Sequence, residues 1–360
     1  MNLINQFQKV FLEYSRLKQF SGTVLIKKSN RELFSYAYGY AHKGFKINNT
    51  LATRFDTASV TKLFTAMGIL QLVDQKELCL RDRVLEILDL ENSCVNLKIS
   101  KDITLYNLLT HTSGIADDAD EESGESYEEL WHRKPNYSVR ENIDFLPQFI
   151  YREPYFKPGT GCRYNNCAYI LLGLVIEKVT GQKYRQYIKK NVFDKCGMHD
   201  TGFLGMDEIH ANVAEGYVSI PNQASEVWRK NIYSYPPIGN ADAGAYSTTA
   251  DLNKFMVGIL SGCLLSAETT RAMLTPKEKY RVNADYTHMM GYGFEFYVTN
   301  LENRIVYISK DGCNPGAAAI LKYYPDTEVT VVILANQDCN IWALDREIHQ
   351  FLMAGDHDEL

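Results

Sequence analysis

Apolar positions along the chain fall into distinct rhythms. In MNLINQFQKVFLEYSRLKQF, Leu3, Phe7, Val10, Phe11 and Tyr14 recur every three to four residues, which predicts one face of an amphipathic helix. SGTVLIKKSN and RELFSYAYGYAH then carry β-branched and aromatic residues around Ser29-Asn30, the pattern of two strands joined by a turn. Helical character runs from about Ser59 to Glu77 and returns in YNNCAYILLGLVIEKVTG and KYRQYIKKNVF. Four strand-like segments follow near the end: YGFEFYVT, RIVYISK, GAAAILKYY and EVTVVILAN, each bounded by turn residues. A last helix is expected from about Asn340, carrying Trp342, Leu344, Ile348 and Phe351.

Strands at both ends with helices between them predict an α+β fold. Its simplest form is one antiparallel sheet built from both chain ends, flanked by the terminal helices, with a mostly helical region inserted. Residues 1–360 read as a single domain, with a sheet part at about 1–55 and 285–360 and a helical part at about 56–284. No internal repeat or flexible linker divides them.

Bulk composition narrows the function. The 360 residues are 45% hydrophobic and 23% charged, ordinary values for a globular chain with an ample core. A net charge of −6, with basic residues scattered, argues against nucleic acid as a partner. The longest apolar runs, such as AYILLGLVI, are too short to span a bilayer, so no membrane span is expected. The N-terminal stretch lacks a signal-peptide pattern, which makes the cytoplasm the expected compartment. The terminal His357-Asp358-Glu359-Leu360 spells an ER-retention address, which is read only in the lumen. Eight cysteines show no disulfide rhythm and sit in contexts such as GILSGCLL, so reduced core thiols are expected. DDADEESGESYEE, residues 117–129, reads as an exposed acidic loop.

Candidate chemistry begins in DTASVTKLFTAMGIL, where Ser59 precedes Lys62 by three residues. Ser59 or Thr57 could cap the helix, with Lys62 solvated in its first turn. Alternatively, residues i and i+3 share a helix face, so Lys62 could reach the Ser59 hydroxyl as a base. The spacing alone is cheap, and Ser15-Arg16-Leu17-Lys18 repeats it. Four further segments supply company: LLTHTSGI, CRYNNCAYILLG with Tyr164 and Asn166, ADAGAYSTTADLNKF, and VYISKDGCNPGAAAIL with Lys310 and Gly312. Asn166 could serve as the N-cap of the following helix, and His111 reads as a structural turn residue. Cys162, Cys167 and Cys313 suggest a metal set, but their spacing is not that of a zinc pair, and small apolar packing is the default.

Ser59-x-x-Lys62, Tyr164-x-Asn166 and Lys310-x-Gly312 occur in the order used by the serine β-lactamase and penicillin-binding protein superfamily. The Tyr-x-Asn form resembles the class C branch, which includes class C β-lactamases, DD-peptidases, D-aminopeptidases and lactamase-like esterases. HTSG and GAYSTTADL are similar to stretches in the same branch, and the likeness runs from about residue 20 to about 340. The resemblance implies a serine hydrolase working through an acyl-enzyme. Ser59 attacks, Lys62 and Tyr164 manage protons, and Asn166 orients the substrate carbonyl. Lys310 attracts the acidic end of the acyl group, and the N–H groups of Ser59 and of Cys313, just after Gly312, hold the oxyanion.

No metal or cofactor is required by that chemistry. The implied partner is a small molecule or short peptide, including a β-lactam or D-amino-acid peptide, and peptidase, esterase and β-lactamase activities stay open. A non-catalytic binder of peptides or cell-wall fragments on the same fold is the competing reading. Two departures bear on substrate. The third motif is Lys310-Asp311-Gly312, not His-x-Gly or Lys-Thr-Gly, and Cys313 removes a hydroxyl that could help hold a carboxylate. Alternation along a strand would turn Asp311 away from Lys310.

Overall fold

A computed structural model describes residues 3–17, 20–90, 94, 96–132, 134–220 and 227–354. Its centre is an eight-stranded antiparallel sheet drawn from both ends of the chain. β1 (Gly22–Lys28) and β2 (Arg31–Tyr38) come first, joined at Ser29, whose φ of 50° suits the tight turn. The others are β3 (Glu278–Val282), β4 (Tyr286–Met290), β5 (Glu295–Thr299), β6 (Ile305–Asn314), β7 (Ala317–Tyr324) and β8 (Val329–Ala335). The order is β2-β1-β8-β7-β6-β5-β4-β3, and the two chain ends meet where β1 pairs with β8, from Gly22 opposite Ala335 to Lys28 opposite Val329.

Apolar side chains cover both faces of the sheet, which is why VTVVILA has no polar alternation. On β8, Val331, Ile333 and Ala335 face α1 (Leu3–Arg16) and the last helix, α4 (Ile341–Ala354), joining Phe7, Phe11, Ile348 and Leu352 in one cluster. Val332 and Leu334 face the other way, into the core shared with the helical region. That region is organised around α2 (Lys62–Asp74) and α3 (Cys167–Thr180). Residues 62–72 and 167–176 are buried throughout, so both helices are apolar on nearly every side and run through the interior. Each fully buried Leu, Ile, Val or Phe contributes about 1.5–3 kcal/mol, and their density here gives the two helix N-termini a rigid seat.

Several expectations need correction. The sheet begins at Glu278, not about residue 285, because β3 and β4 add an edge hairpin whose residues 281–286 are mostly polar and exposed. The α2 helix starts at Lys62; Ser59 lies in a 3₁₀ turn, Ala58–Thr61, before it. The acidic segment is not uniformly exposed: Asp117, Asp118 and Ala119 are buried, and only the following residues reach solvent. The described cysteines are all free thiols, but Cys167 alone is buried, while Cys79, Cys263 and Cys313 are exposed. No helix among the described residues is long and apolar enough to cross a membrane. Residues 357–360 and Lys18 lie outside the described residues.

Candidate active site

Ser59 is presented by a turn that strands and loops hold from three sides. Ala58, just before it, has φ of 43°, a left-handed conformation that costs a non-glycine residue about 1–2 kcal/mol. Asp56 pins that turn: its Oδ1 accepts from Ala58 N at 2.7 Å, and its Oδ2 from the Tyr235 hydroxyl at 2.8 Å and Asn314 Nδ2 at 3.3 Å. Burial raises the Asp56 carboxyl, against the pull of those three donors. Neither Thr57 nor Ser59 caps a helix with its side chain; the Thr57 hydroxyl donates to Ala245 O at 2.7 Å.

β6 passes directly behind this turn. A Cβ on Gly312 would stand 2.4 Å from Ser59 N and 2.8 Å from Thr57 O, so only glycine fits. Gly312→Ala is therefore expected to push the turn away from the strand, with overpacking of about 1–3 kcal/mol. A lowered melting temperature together with a slower reaction of Ser59 with a fluorophosphonate would show it. An unchanged labelling rate would mean the strand gives way without cost to Ser59.

Lys62 is fully buried, not solvated. Its Nζ reaches Asn166 Oδ1 at 2.7 Å, Asp242 O at 2.9 Å and Ser59 Oγ at 3.0 Å. An ammonium has three donors, and these are three acceptors. Two are permanent partners; the third is the hydroxyl whose proton would move. Asn166 has its side chain on Lys62 and makes no cap bond to α3. The cap is Asp117, which accepts from Asn166 N at 3.0 Å and Cys167 N at 2.9 Å. Burial pushes the Asp117 carboxyl up to about 6 despite those donors. Its oxygens, those of Asp118 and the Cys167 thiol lie within 4.8 Å of one another, and this group, not Cys162, Cys167 and Cys313, is what converges.

Tyr164 lies between two lysines, with Lys62 Nζ 4.9 Å and Lys310 Nζ 4.7 Å from its ring centre. His111 stacks against the ring at 4.7 Å, and its Nδ1 accepts from Asn165 N at 3.1 Å. Burial, reinforced by the charges of Lys310 and Lys62, holds His111 well below its usual range, so it is a neutral support for Tyr164.

Lys310 differs most from expectation. Its Nζ is buried and sits 2.5 Å from Glu295 Oε1, while Glu295 Oε2 meets His288 Nε2 at 2.8 Å. Burial alone would raise the Glu295 carboxyl; Lys310 and His288 outweigh it and hold it well below the carboxylate range. Lys310 is thus already paired. Asp311 follows the alternation: it pairs with Ile320 on the terminal-helix face and Lys310 with Leu321 on the other. Its Oδ2 accepts from Trp342 Nε1 at 2.6 Å, while its Oδ1 still lies 3.8 Å from Lys310 Nζ at the sheet's end. Ser59, Lys62, Tyr164, Asn166, Lys310, Gly312 and Cys313 all meet around one cleft. Asp56, His111, Asp117 and Glu295 support them; of the four only His111 lies in a stretch similar to the family's, HTSG.

The Beta-lactamase family model matches residues 7–348. The chain belongs to that family. Penicillin-binding protein 4* of Bacillus subtilis is 27% identical over 351 residues, covering 94% of this chain and 72% of its own length. The crystal structure of a penicillin binding protein from Bacillus halodurans is 33% identical with a TM-score of 0.86, covering 97% of this chain and 99% of that one. A D-stereospecific amidohydrolase from Streptomyces sp. has the same fold at 20% identity, with a TM-score of 0.78 and coverage of 98% and 99%. Members of the wider superfamily are serine hydrolases, and the β-lactamase-type fold here places a serine, a buried lysine and a tyrosine together at its cleft.

Proposed function

We propose that this β-lactamase-family protein is a serine hydrolase that cleaves small amides or esters through an acyl-enzyme. The carrying observation is the buried Lys62 amino group, held by Asn166 Oδ1 and Asp242 O and 3.0 Å from Ser59 Oγ. In the reacting form Lys62 is the neutral amine: its two N–H groups stay on Asn166 Oδ1 and Asp242 O, and its lone pair takes the Ser59 proton as Oγ attacks the carbonyl carbon. Tyr164, beside both lysines, then carries a proton to the leaving atom, and water reverses the sequence to release the acid. In this reading the N–H groups of Ser59 and Cys313 receive the developing oxyanion, a role worth roughly 100- to 1000-fold per donor in other hydrolases.

The pairing of Lys310 with Glu295 changes the substrate reading. A lysine already neutralised at 2.5 Å offers little to a substrate carboxylate, so neutral esters and amides are favoured over penicillin-like acids. Ser59→Ala is expected to abolish covalent labelling by a fluorophosphonate and release of p-nitrophenol from p-nitrophenyl acetate, with the melting temperature unchanged. Equal turnover by the variant would remove Ser59 from the mechanism. Wild-type protein that neither labels nor turns over would favour a binding protein on the same fold.

A further inference from the structure

Two recesses meet at Ser59 and Cys313. One has Tyr127, Phe145, Met206, Pro236, Pro237 and Ile238 in its wall and is the more apolar of the two, although Asn240 and Asp242 also line it. The other carries Tyr164 and most of the charged groups. A tyrosine that hands a proton to the leaving atom must be within reach of it. Tyr164 borders the charged recess, so the leaving group departs through that side and the acyl group lies toward the apolar one.

The charges in the leaving-group recess do not balance. Asp117, Glu122, Glu295 and Asp311 line it, with Arg281 and Lys310 as the cations. Glu122 is met by Arg163 at 3.5 Å and Arg281 at 4.0 Å, whereas one lysine, Lys310, serves both Glu295 at 2.5 Å and Asp311 at 3.8 Å. Asp117 is occupied by the N–H groups at the start of α3. Asp311 has only a share of Lys310, and its side chain is 40% exposed at the recess. The Trp342 indole N–H holds one of its oxygens at 2.6 Å, which fixes the carboxylate beside an aromatic ring. A carboxylate and an indole at one recess form the usual setting for an ammonium ion, by charge and by cation–π attraction.

We propose that this recess binds a cationic, ammonium-bearing leaving group, held between the Asp311 carboxylate and the Trp342 ring. The inference rests on the serine-hydrolase reading for its assignment of the leaving side. It gives a substrate class: a small apolar acyl group joined to an amino-alcohol, aminothiol or diamine. An anionic leaving group would meet the excess of carboxylates and be rejected.

The test compares acetylthiocholine with its neutral carbon isostere, 3,3-dimethylbutyl thioacetate. In each, the Ser59 Oγ–carbonyl bond forms, the C–S bond breaks, and the protonated thiol is counted with a thiol reagent. The cationic thioester is expected to show kcat/KM roughly tenfold higher, the size of one half-exposed carboxylate and one indole face. That ratio should fall toward unity in Asp311→Asn and part-way in Trp342→Phe, which keeps a ring but frees the carboxylate. Equal kcat/KM for the two in the wild type, or an unchanged ratio in Asp311→Asn, would overturn the subsite while leaving the hydrolase reading standing.

Failure to turn over either thioester brings in a second measurement, quenching of tryptophan fluorescence by phenyltrimethylammonium in Ser59→Ala. Saturable quenching that is lost on adding Asp311→Asn keeps the cation site and sinks the hydrolase reading. No saturable quenching overturns the site.

Discussion

Lys62→Met is expected to slow acylation of Ser59 by roughly 100- to 10,000-fold, the range spanned by positioned general bases. Methionine has nearly the length of lysine and no proton to give or take. Lys62 is fully buried, so the variant keeps the packing of α2 but leaves Asn166 Oδ1 and Asp242 O without the donor that meets them at 2.7 and 2.9 Å. Each orphaned acceptor costs about 1–3 kcal/mol unless water replaces the ammonium. A lower melting temperature is therefore expected alongside the kinetic loss. The two effects separate by measuring fluorophosphonate labelling at a temperature where the variant is fully folded. A folded variant that labels at the wild-type rate would show that Lys62 is structural and that the proton of Ser59 goes elsewhere.

The candidate catalytic residues were legible in sequence because their short motifs, in order, resemble those of a known superfamily. Ser59, Lys62, Tyr164, Asn166, Lys310 and Gly312 could be named from that ordered set, and not from the spacing of any one motif. Strand assignments after residue 294 were legible from local pattern, since every run is apolar and bounded by turn residues. What was not legible is what those residues touch across the chain.

Glu295 sits in a run, YGFEFYVT, whose period marks only a strand. Its partnership with Lys310 appears once β5 and β6 are paired, with Glu295 opposite Ser309. Hairpin register could have suggested it, because the turn between the strands fixes which residues face each other. Asp117 was hidden by its neighbours: an acidic run predicts solvation on average, yet its first two members are buried, Asp117 at the start of α3. For Asp311 the alternation held, turning its side chain to the face opposite Lys310, but its partner there, the Trp342 indole on α4, could not be read from the strand. Ordered motifs find the reacting groups; contacts between distant segments decide their charge state and the company a substrate would meet.

Lys310→Met should be among the most destabilising single changes near the cleft, by about 3–5 kcal/mol, because it strands a buried carboxylate. In the native protein Glu295 has one oxygen on Lys310 at 2.5 Å and the other on His288 at 2.8 Å. Glu295 is held ionised far below the ordinary carboxylate range, and Lys310 is held protonated above the ordinary lysine range. The signs follow from linkage. A depressed carboxyl contributes stability that is complete above the unfolded pKa of about 4.3 and is lost as pH falls toward the folded value. A raised ammonium contributes stability that is complete below about 10.4 and is lost as pH rises past the folded value. The pair therefore supports the fold across the whole neutral range.

Removing the lysine reverses the first of these contributions, since a buried Glu295 without its cation is favoured when protonated. The Lys310→Met variant is expected to gain stability relative to wild type as pH falls from 8 toward 5. Adding Glu295→Gln should restore much of the loss at pH 8, because the buried charge is gone and the amide can still bond to His288. Chemical denaturation of the three proteins at pH 5 and pH 8 would test this. If the single variant lost the same free energy at both pH values and the second change gave nothing back, the cost would lie in packing of the side chain and not in the stranded charge.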